Sequence, residues 1–415
     1  MAKNLRKGKI VACLDIGSSK LVCFIASITN DEVKILGYGH KKSKGIMGSA
    51  VSDMKLAQKS ITNVVAEAER MAGLNIDRLL IGMSGSQVIS SRKEVGVKIS
   101  SDIVRASDIV NLANTVRAEF KKNNREVIHL IPLQYRIDDH APVENPRYMT
   151  GNKLFAKFHI VSSSRNAVRN IENCLKGCQL SVNNYIVEPY ASTLSCLTEN
   201  ETNLGTLLID IGGSSTSSSI VLNGKLFYVG NSVLGGIHVT KDISTILNIS
   251  FDEAEQIKNL NSSLLISPIE EKEIIRLNNS DKNDDPNDGP EMIRITRLEL
   301  RDIIKSRLEE IFESVKSNLK KSGIPESIIS NIVLTGGVTL SVGIDRLACD
   351  VFQKNVRIGY PNKIKGVTSE ILNPTYSCCL GMLVFLKNMH LREKLKNGFE
   401  TKNNWFRKLI EKLAA

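Results

Sequence analysis

The chain has 415 residues, 42% of them hydrophobic, enough to bury large cores and build two to four domains. Its formal charge of +11 is dispersed, and with 5% aromatic residues and no cluster interleaving aromatics with Arg or Lys it points to an anionic membrane surface and not to nucleic acid. No stretch reaches the roughly 18 apolar residues of a spanning helix, and the eight cysteines, among them Cys13, Cys23, Cys196 and Cys378, read as reduced core residues and not as a zinc site.

In chain order, a β-rich apolar run ends in Leu14-Asp15-Ile16-Gly17-Ser18-Ser19-Lys20. Its glycine lets the backbone turn tightly and present N–H groups to an anion, while the aspartate at the strand end is placed to hold a hydrated divalent cation. Lys20–Thr29 then reads as a strand, Asn30-Asp31 as a turn and Val33–His40 as the return strand, followed by Leu79–Met83 running into Ser84-Gly85. Residues 86–165 have their own pattern: strands near Val88–Ile99, Glu126–Ile137 and Leu154–Ser162, and a helix near Ala106–Phe120. A proline opens the next helix in Glu188-Pro189-Tyr190-Ala191-Ser192.

The pattern then repeats. Ile209-Asp210-Ile211-Gly212-Gly213-Ser214-Ser215-Thr216 is a second loop of the same kind, and Thr216–Leu222 and Lys225–Val233 flank the hairpin signal Asn223-Gly224. Helices are expected at Phe251–Asn259 and Arg297–Lys321, around a polar stretch, Asn278 to Pro290, that reads as a solvated loop. Ile332–Leu334 runs into Thr335-Gly336-Gly337, and Asn373-Pro374-Thr375-Tyr376-Ser377 opens a helix as the earlier proline did. Two copies of one α/β unit facing across a cleft account for the repetition, and two opposed loops would grip a nucleoside triphosphate from both sides.

The expected division is 1–85 and 166–201 for the first half, 86–165 for its insert, 202–240 and 330–372 for the second half, and 241–329 for the second insert. A closing helix follows at 373–388, then a linker at 389–403. Residues 404–415 are expected to form an amphipathic helix, with Trp405, Phe406, Leu409, Ile410 and Leu413 on one side and Arg407, Lys408, Glu411 and Lys412 on the other. Burying those apolar side chains gains on the order of 10 kcal/mol, which ordering about ten residues nearly cancels. Such a helix holds a membrane reversibly, and firmly only when many are linked in a polymer.

The two loops, the VEPYAS segment between them and the LTGGVTLSVGI segment after them resemble the five-part nucleotide signature shared by actin, sugar kinases and Hsp70. IHLIPLQYRID followed by NPRYMTGNKLFAKFHIVSS, the insert and the amphipathic tail are similar to the bacterial cell division family FtsA across nearly the whole chain. The resemblance implies duplicated actin-like, ribonuclease H-like α/β domains with an inserted 1C subdomain, and ATP with magnesium in the cleft. It further implies head-to-tail filaments at the division site on the cytoplasmic face of the inner membrane. The implied partners are the carboxy-terminal tail of the tubulin-like protein FtsZ and, through 1C, other division proteins. A pilus-assembly actin-like protein and a small-molecule kinase of the same fold are the alternatives.

Residue by residue, Asp15, Gly17, Ser18, Ser19 and Lys20 match the first phosphate loop. Asp210, Gly212, Gly213, Ser215 and Thr216 match the second, and Gly336 with Gly337 the adenosine segment. Asp15 and Asp210 would hold magnesium through water, Lys20 would neutralise phosphate oxygens, and Glu188 matches the acidic residue that orients the attacking water. Glu255 and Lys258 resemble the helix that contacts ribose and base. Ser214 stands where a third glycine is usual and Ser217 where an aspartate is usual, so a slow ATPase at most is expected. Arg301 and Lys305, with Arg307, are expected to face the acidic FtsZ tail.

Overall fold

The computed structural model describes residues 8–29, 32–278, 292–361, 364, 368 and 370–399. The expected Asn30-Asp31 turn, most of the polar 278–290 stretch and the 404–415 helix lie outside the described residues.

The first half begins with three antiparallel strands, β1 (Lys9–Ile16), β2 (Lys20–Thr29) and β3 (Glu32–Lys42). A small hairpin, β4 (Ile46–Met47) and β5 (Ala50–Val51), leads to α1 (Met54–Ala72) and β6 (Arg78–Met83). Helix α1 starts where Asp53 accepts from the Leu56 N–H, and it buries Ala57, Ile61, Val64 and Ala68, one stripe at helical spacing. The insert comprises β7 (Val88–Lys98), α2 (Ala106–Lys122), β8 (Arg125–Ile137) and β9 (Lys153–Ser164). The chain returns through α3 (Arg165–Gly177), β10 (Ser181–Val187) and α4 (Glu188–Cys196).

The second half holds α5 (Glu199–Leu204), β11 (Thr206–Ile211), β12 (Thr216–Leu222), β13 (Lys225–Ser232), α6 (Gly236–Leu247) and α7 (Phe251–Asn261). There follow β14 (Ile274–Asn278), β15 (Met292–Thr296), α8 (Arg297–Lys321), β16 (Asn331–Thr335), α9 (Ile344–Phe352), β17 (Asn355–Ile358) and α10 (Ser377–Phe399). Helix α10 continues to Phe399, through most of the 389–403 segment expected to be a linker.

The two large sheets have the same order, β3-β2-β1-β6-β10 and β13-β12-β11-β16-β17, with matching antiparallel and parallel pairs. Their long buried runs, such as Leu21 to Ile28 in the first and Thr206 to Ile209 in the second, fit sheets covered on both faces. Both phosphate-type loops lie at the carboxyl ends of the first strands, the side on which open α/β sheets bind ligands. Helix α4 packs closely against α10. A Cβ on Gly381 would stand 1.7 Å from the Ala191 carbonyl oxygen, so only glycine lets the helices cross this closely.

The insert is a three-stranded sheet, β7-β9-β8, whose own core includes Leu112, Val116, Leu154 and Phe158. It sits on the edge of the second half. Pairing of β13 with β12 skips Phe227, a bulge that presents its ring to the Arg92 guanidinium at 5.1 Å. Beside it, the buried His159 donates from Nδ1 to the Leu226 carbonyl at 2.9 Å and accepts at Nε2 from Ser90 at 2.8 Å. Burial pushes its pKa down to about 4, keeping the ring neutral. Arg92 also donates to the Ser322 carbonyl at 2.9 Å.

Candidate functional site

A cavity of about 860 Å³ opens between the halves. The register fixes its carboxylates: Asp15 pairs with Val22 and Asp210 with Ser217, each one residue before its strand ends, so both side chains reach the cavity at equivalent places. Glu188 joins them from the first residue of α4. The loops themselves touch, because a Cβ on Gly213 would fall 1.7 Å from Ser19 Oγ. The carbonyls of Gly212 and Gly213 accept from Gly236 and Ile237 at the start of α6, at 3.0 and 2.7 Å. Among the described residues, the N–H groups of Gly213, Ser214 and Ser215 have no protein acceptor, which suits them to an anion.

Two of the carboxylates, Asp15 and Asp210, act on a single lysine, Lys20, and Glu188 stands beside Asp15. Burial, opposed by Lys20 and reinforced by Asp210, raises the Asp15 pKa from 3.8 to about 6. Burial, then the neighbouring Asp15, pushes Glu188 well above the usual carboxylate range, with the Ser84 hydroxyl opposing. Glu188 Oε1 is a buried acceptor with no hydrogen-bond partner among the described residues. Burial also raises Asp210, against the 2.7 Å bond it accepts from Ser192. Lys20 donates to the Thr375 carbonyl at 2.6 Å, and burial lowers its pKa against the pull of Asp15. This buried negative charge, with an orphaned carboxylate oxygen, suits a cation held through its water shell; among the described residues no three such side chains are placed to ligate a metal directly.

The sequence-predicted residues Asp15, Gly17, Ser18, Ser19, Lys20, Glu188, Asp210, Gly212, Gly213, Ser215, Glu255, Lys258, Gly336 and Gly337 all line the cavity. Thr216 does not: its buried hydroxyl donates to the Leu234 carbonyl at 2.8 Å, because the alternation of β12 turns it inward and turns Ser217 to the cleft. Lys258 bonds Glu255 Oε2 at 2.6 Å and Thr240 Oγ1 at 2.8 Å, so the two residues form one fixed unit. Burial raises the Glu255 pKa and the bonds from Lys258 and Thr240 more than offset it.

Residues not anticipated include Ser49 from the β4–β5 hairpin, and Phe251, Ile304, Leu308 and Leu340, which make the other end apolar. Phe251 and Leu340 were inside segments already singled out; Ser49 carries no motif. On α8, Arg301 pairs with Asp302 at 2.6 Å and Lys305 with Glu309 at 3.7 Å. Arg307 points elsewhere, bonding Asp242 of α6 and Glu310, so it does not share a face with the other two. Trp405, Phe406, Leu409, Ile410 and Leu413 lie outside the described residues.

The family model "Cell division protein FtsA" matches residues 207–381, and "SHS2 domain inserted in FTSA" matches 85–162, the span of the insert. The chain is 31% identical to the cell division protein FtsA of Borreliella burgdorferi, over 98% of this chain and 99% of that one. Identity to the Pseudomonas aeruginosa FtsA is 32%, over 92% and 90%. Among solved structures, a PilM-PilN type IV pilus biogenesis complex aligns with a TM-score of 0.65 at 18% identity, covering 91% of this chain and 98% of that one. MreB5 of Spiroplasma citri bound to ADP aligns at 0.56 and 15%, covering 92% and 97%. At these identities the structures speak to fold, and the fold is the duplicated actin-like one with an inserted SHS2 domain. The chain belongs to the FtsA family of cell division proteins.

Proposed function

We propose that this division protein is switched by ATP and magnesium in the cleft, polymerises head to tail, and tethers FtsZ to the cytoplasmic face of the inner membrane. The observation that carries the nucleotide part is the contact of two glycine-serine loops beside three buried carboxylates and one lysine. MreB5, of the same fold, has been solved bound to ADP and to AMPPNP.

Asp15 and Asp210 would hold magnesium through its water shell, and the bound ion would offset phosphate charge. Lys20 adds one cation at the first loop, and the free N–H groups of Gly213, Ser214 and Ser215 supply donors at the second. Glu188, with its unpartnered oxygen, orients the attacking water. Ser214 in place of glycine keeps turnover slow, so the output is assembly and binding, not flux.

Basic Arg301 and Lys305 receive the acidic FtsZ tail by exchanging their carboxylate neighbours for those of the peptide, an attraction that salt weakens. Trp405, Phe406, Leu409, Ile410 and Leu413 lie on anionic lipid. The test is sedimentation with anionic liposomes, with and without magnesium and ATP. Wild type pellets in a nucleotide-dependent way, and Trp405→Glu and Asp210→Asn stay in solution. Nucleotide-independent pelleting of Asp210→Asn defeats the switch, and full pelleting of Trp405→Glu defeats the anchor. Arg301→Glu with Lys305→Glu abolishes capture of an FtsZ tail peptide; unchanged capture places that site elsewhere.

A further inference from the structure

The β4–β5 hairpin takes no part in the matched loops, yet its tip enters the cleft. Gly48 and Ser49 both have positive φ, 55° and 61°, the left-handed pair of a tight two-residue hairpin turn. Glycine would sit at position 49 without strain, whereas serine costs on the order of 1 kcal/mol there. The tip is pressed onto the turn after β6, for a Cβ on Gly85 would stand 2.4 Å from the Gly48 carbonyl oxygen.

The strained serine has two bonding arms. Its N–H donates to Ser18 Oγ of the first phosphate loop at 3.2 Å. Its hydroxyl lies 2.7 Å from the Ser84 hydroxyl, which stands beside Glu188 and opposes the rise in its pKa. A carboxylate only accepts, so a Ser84 hydroxyl turned toward Glu188 is left to accept from Ser49. With the Ser49 N–H spent on one lone pair of Ser18, the Ser18 hydroxyl proton is left free toward the cavity that Ser18 lines. The bonds therefore run outward from Ser49 along both arms.

We propose that Ser49 is a positioning residue of the nucleotide site, holding the Ser18 hydroxyl and, through Ser84, the Glu188 carboxylate on either side of the terminal phosphate. The inference rests on the ATP-binding reading above and names how that site tells a triphosphate from a diphosphate. A base at the apolar end, by Phe251 and Ile304, leaves the last phosphate among the carboxylates; losing that phosphate removes what Ser18 and Glu188 are aimed at.

The test is titration of the full chain with magnesium-ATP and magnesium-ADP by calorimetry, alongside melting without nucleotide. Ser49→Gly keeps the N–H arm, relieves the strained φ and loses the hydroxyl arm; Ser84→Ala cuts the same arm from the other end. Each is expected to lose about tenfold of the preference for ATP over ADP, with ADP affinity unchanged. The double variant also loses about tenfold and not a hundredfold, because the two hydroxyls act as one chain. Ser84→Thr, which keeps a hydroxyl, restores the preference. Ser49→Gly melts no lower than wild type, which a purely structural serine would not allow. An unchanged ATP-to-ADP ratio in Ser49→Gly, or equal loss of both affinities, overturns the inference while leaving the cleft a nucleotide site. A wild type that binds neither nucleotide removes the parent reading and this one with it.

Discussion

Replacing Asp15 by Asn should make the nucleotide-free protein more stable. The carboxylate is buried beside Asp210 and Glu188, and its pKa rises from 3.8 to about 6 on folding. A carboxylate with a raised folded pKa destabilises the native state as pH climbs from the unfolded value to the folded one, and the cost is complete above it. That rise corresponds to about 3 kcal/mol at pH 7.5. Asn keeps the shape and removes the charge, so up to about that much stability returns. At roughly 2–4 °C per kcal/mol for domains of this size, the melting temperature should climb by several degrees. At pH 4, where Asp15 is protonated in the folded protein, the gain disappears. Magnesium-ATP should stabilise wild type by mass action and leave Asp15→Asn unmoved, so the order of melting temperatures reverses when ligand is added. Scanning calorimetry of both proteins at the two pH values, with and without magnesium-ATP, reads all eight cases. A variant that melts at or below wild type without nucleotide at pH 7.5 refutes the argument that these carboxylates are held against their electrostatic preference.

Two further outcomes concern the frame around the cleft. Gly381→Ala gains about 1 kcal/mol of helix propensity but drives a methyl group into the Ala191 carbonyl, so a net loss of about 1–3 kcal/mol is expected as a lower urea midpoint at unchanged slope; an unchanged midpoint would show that α4 and α10 can separate freely. Arg357 grips both oxygens of Glu201 at 2.7 Å and the Cys196 carbonyl at 2.9 Å; although burial alone would raise the Glu201 pKa, this grip and the Thr198 cap bring it to about 2. A depressed carboxylate stabilises above its unfolded pKa of 4.5 and loses that contribution as pH falls toward 2, so Arg357→Met should cost about 1–2 kcal/mol at pH 7 after screening, with the difference from wild type shrinking below pH 4.5 in acid titration followed by circular dichroism.

The strands, the insert and the carboxylate pair were legible because their signals are local. A hairpin signal such as Asn223-Gly224 fixes the strands on both sides, and the end of a strand fixes where Asp15 and Asp210 point. Thr216 was misplaced by one step of the two-residue alternation, since a loop motif does not say where the pleat begins. Ser84 stands in a turn the sequence marks, but its pairing with Ser49 is not legible, because the two are ordinary serines 35 residues apart joined by a 2.7 Å contact. The same holds for Arg307, whose partner Asp242 is 65 residues away. Helix α10 ran past its expected end because a charged, weakly patterned segment can continue a helix begun by a buried one.

The seat of the insert on β13 has a mechanical consequence. Covalently the insert belongs to the first half, entered after β6 and left through α3, yet its His159, Ser90 and Arg92 grip the backbone and a ring of the second. Any rotation of one half against the other would therefore not leave it at rest. Either the buried imidazole gives up a carbonyl that water cannot readily replace, or the insert rides with the second half and flexes at its two roots, near Gln87 and Ser164, which are themselves joined by a 3.3 Å backbone bond. The second course would work as a crank, in which a few degrees of cleft angle become a translation at the far end of α2.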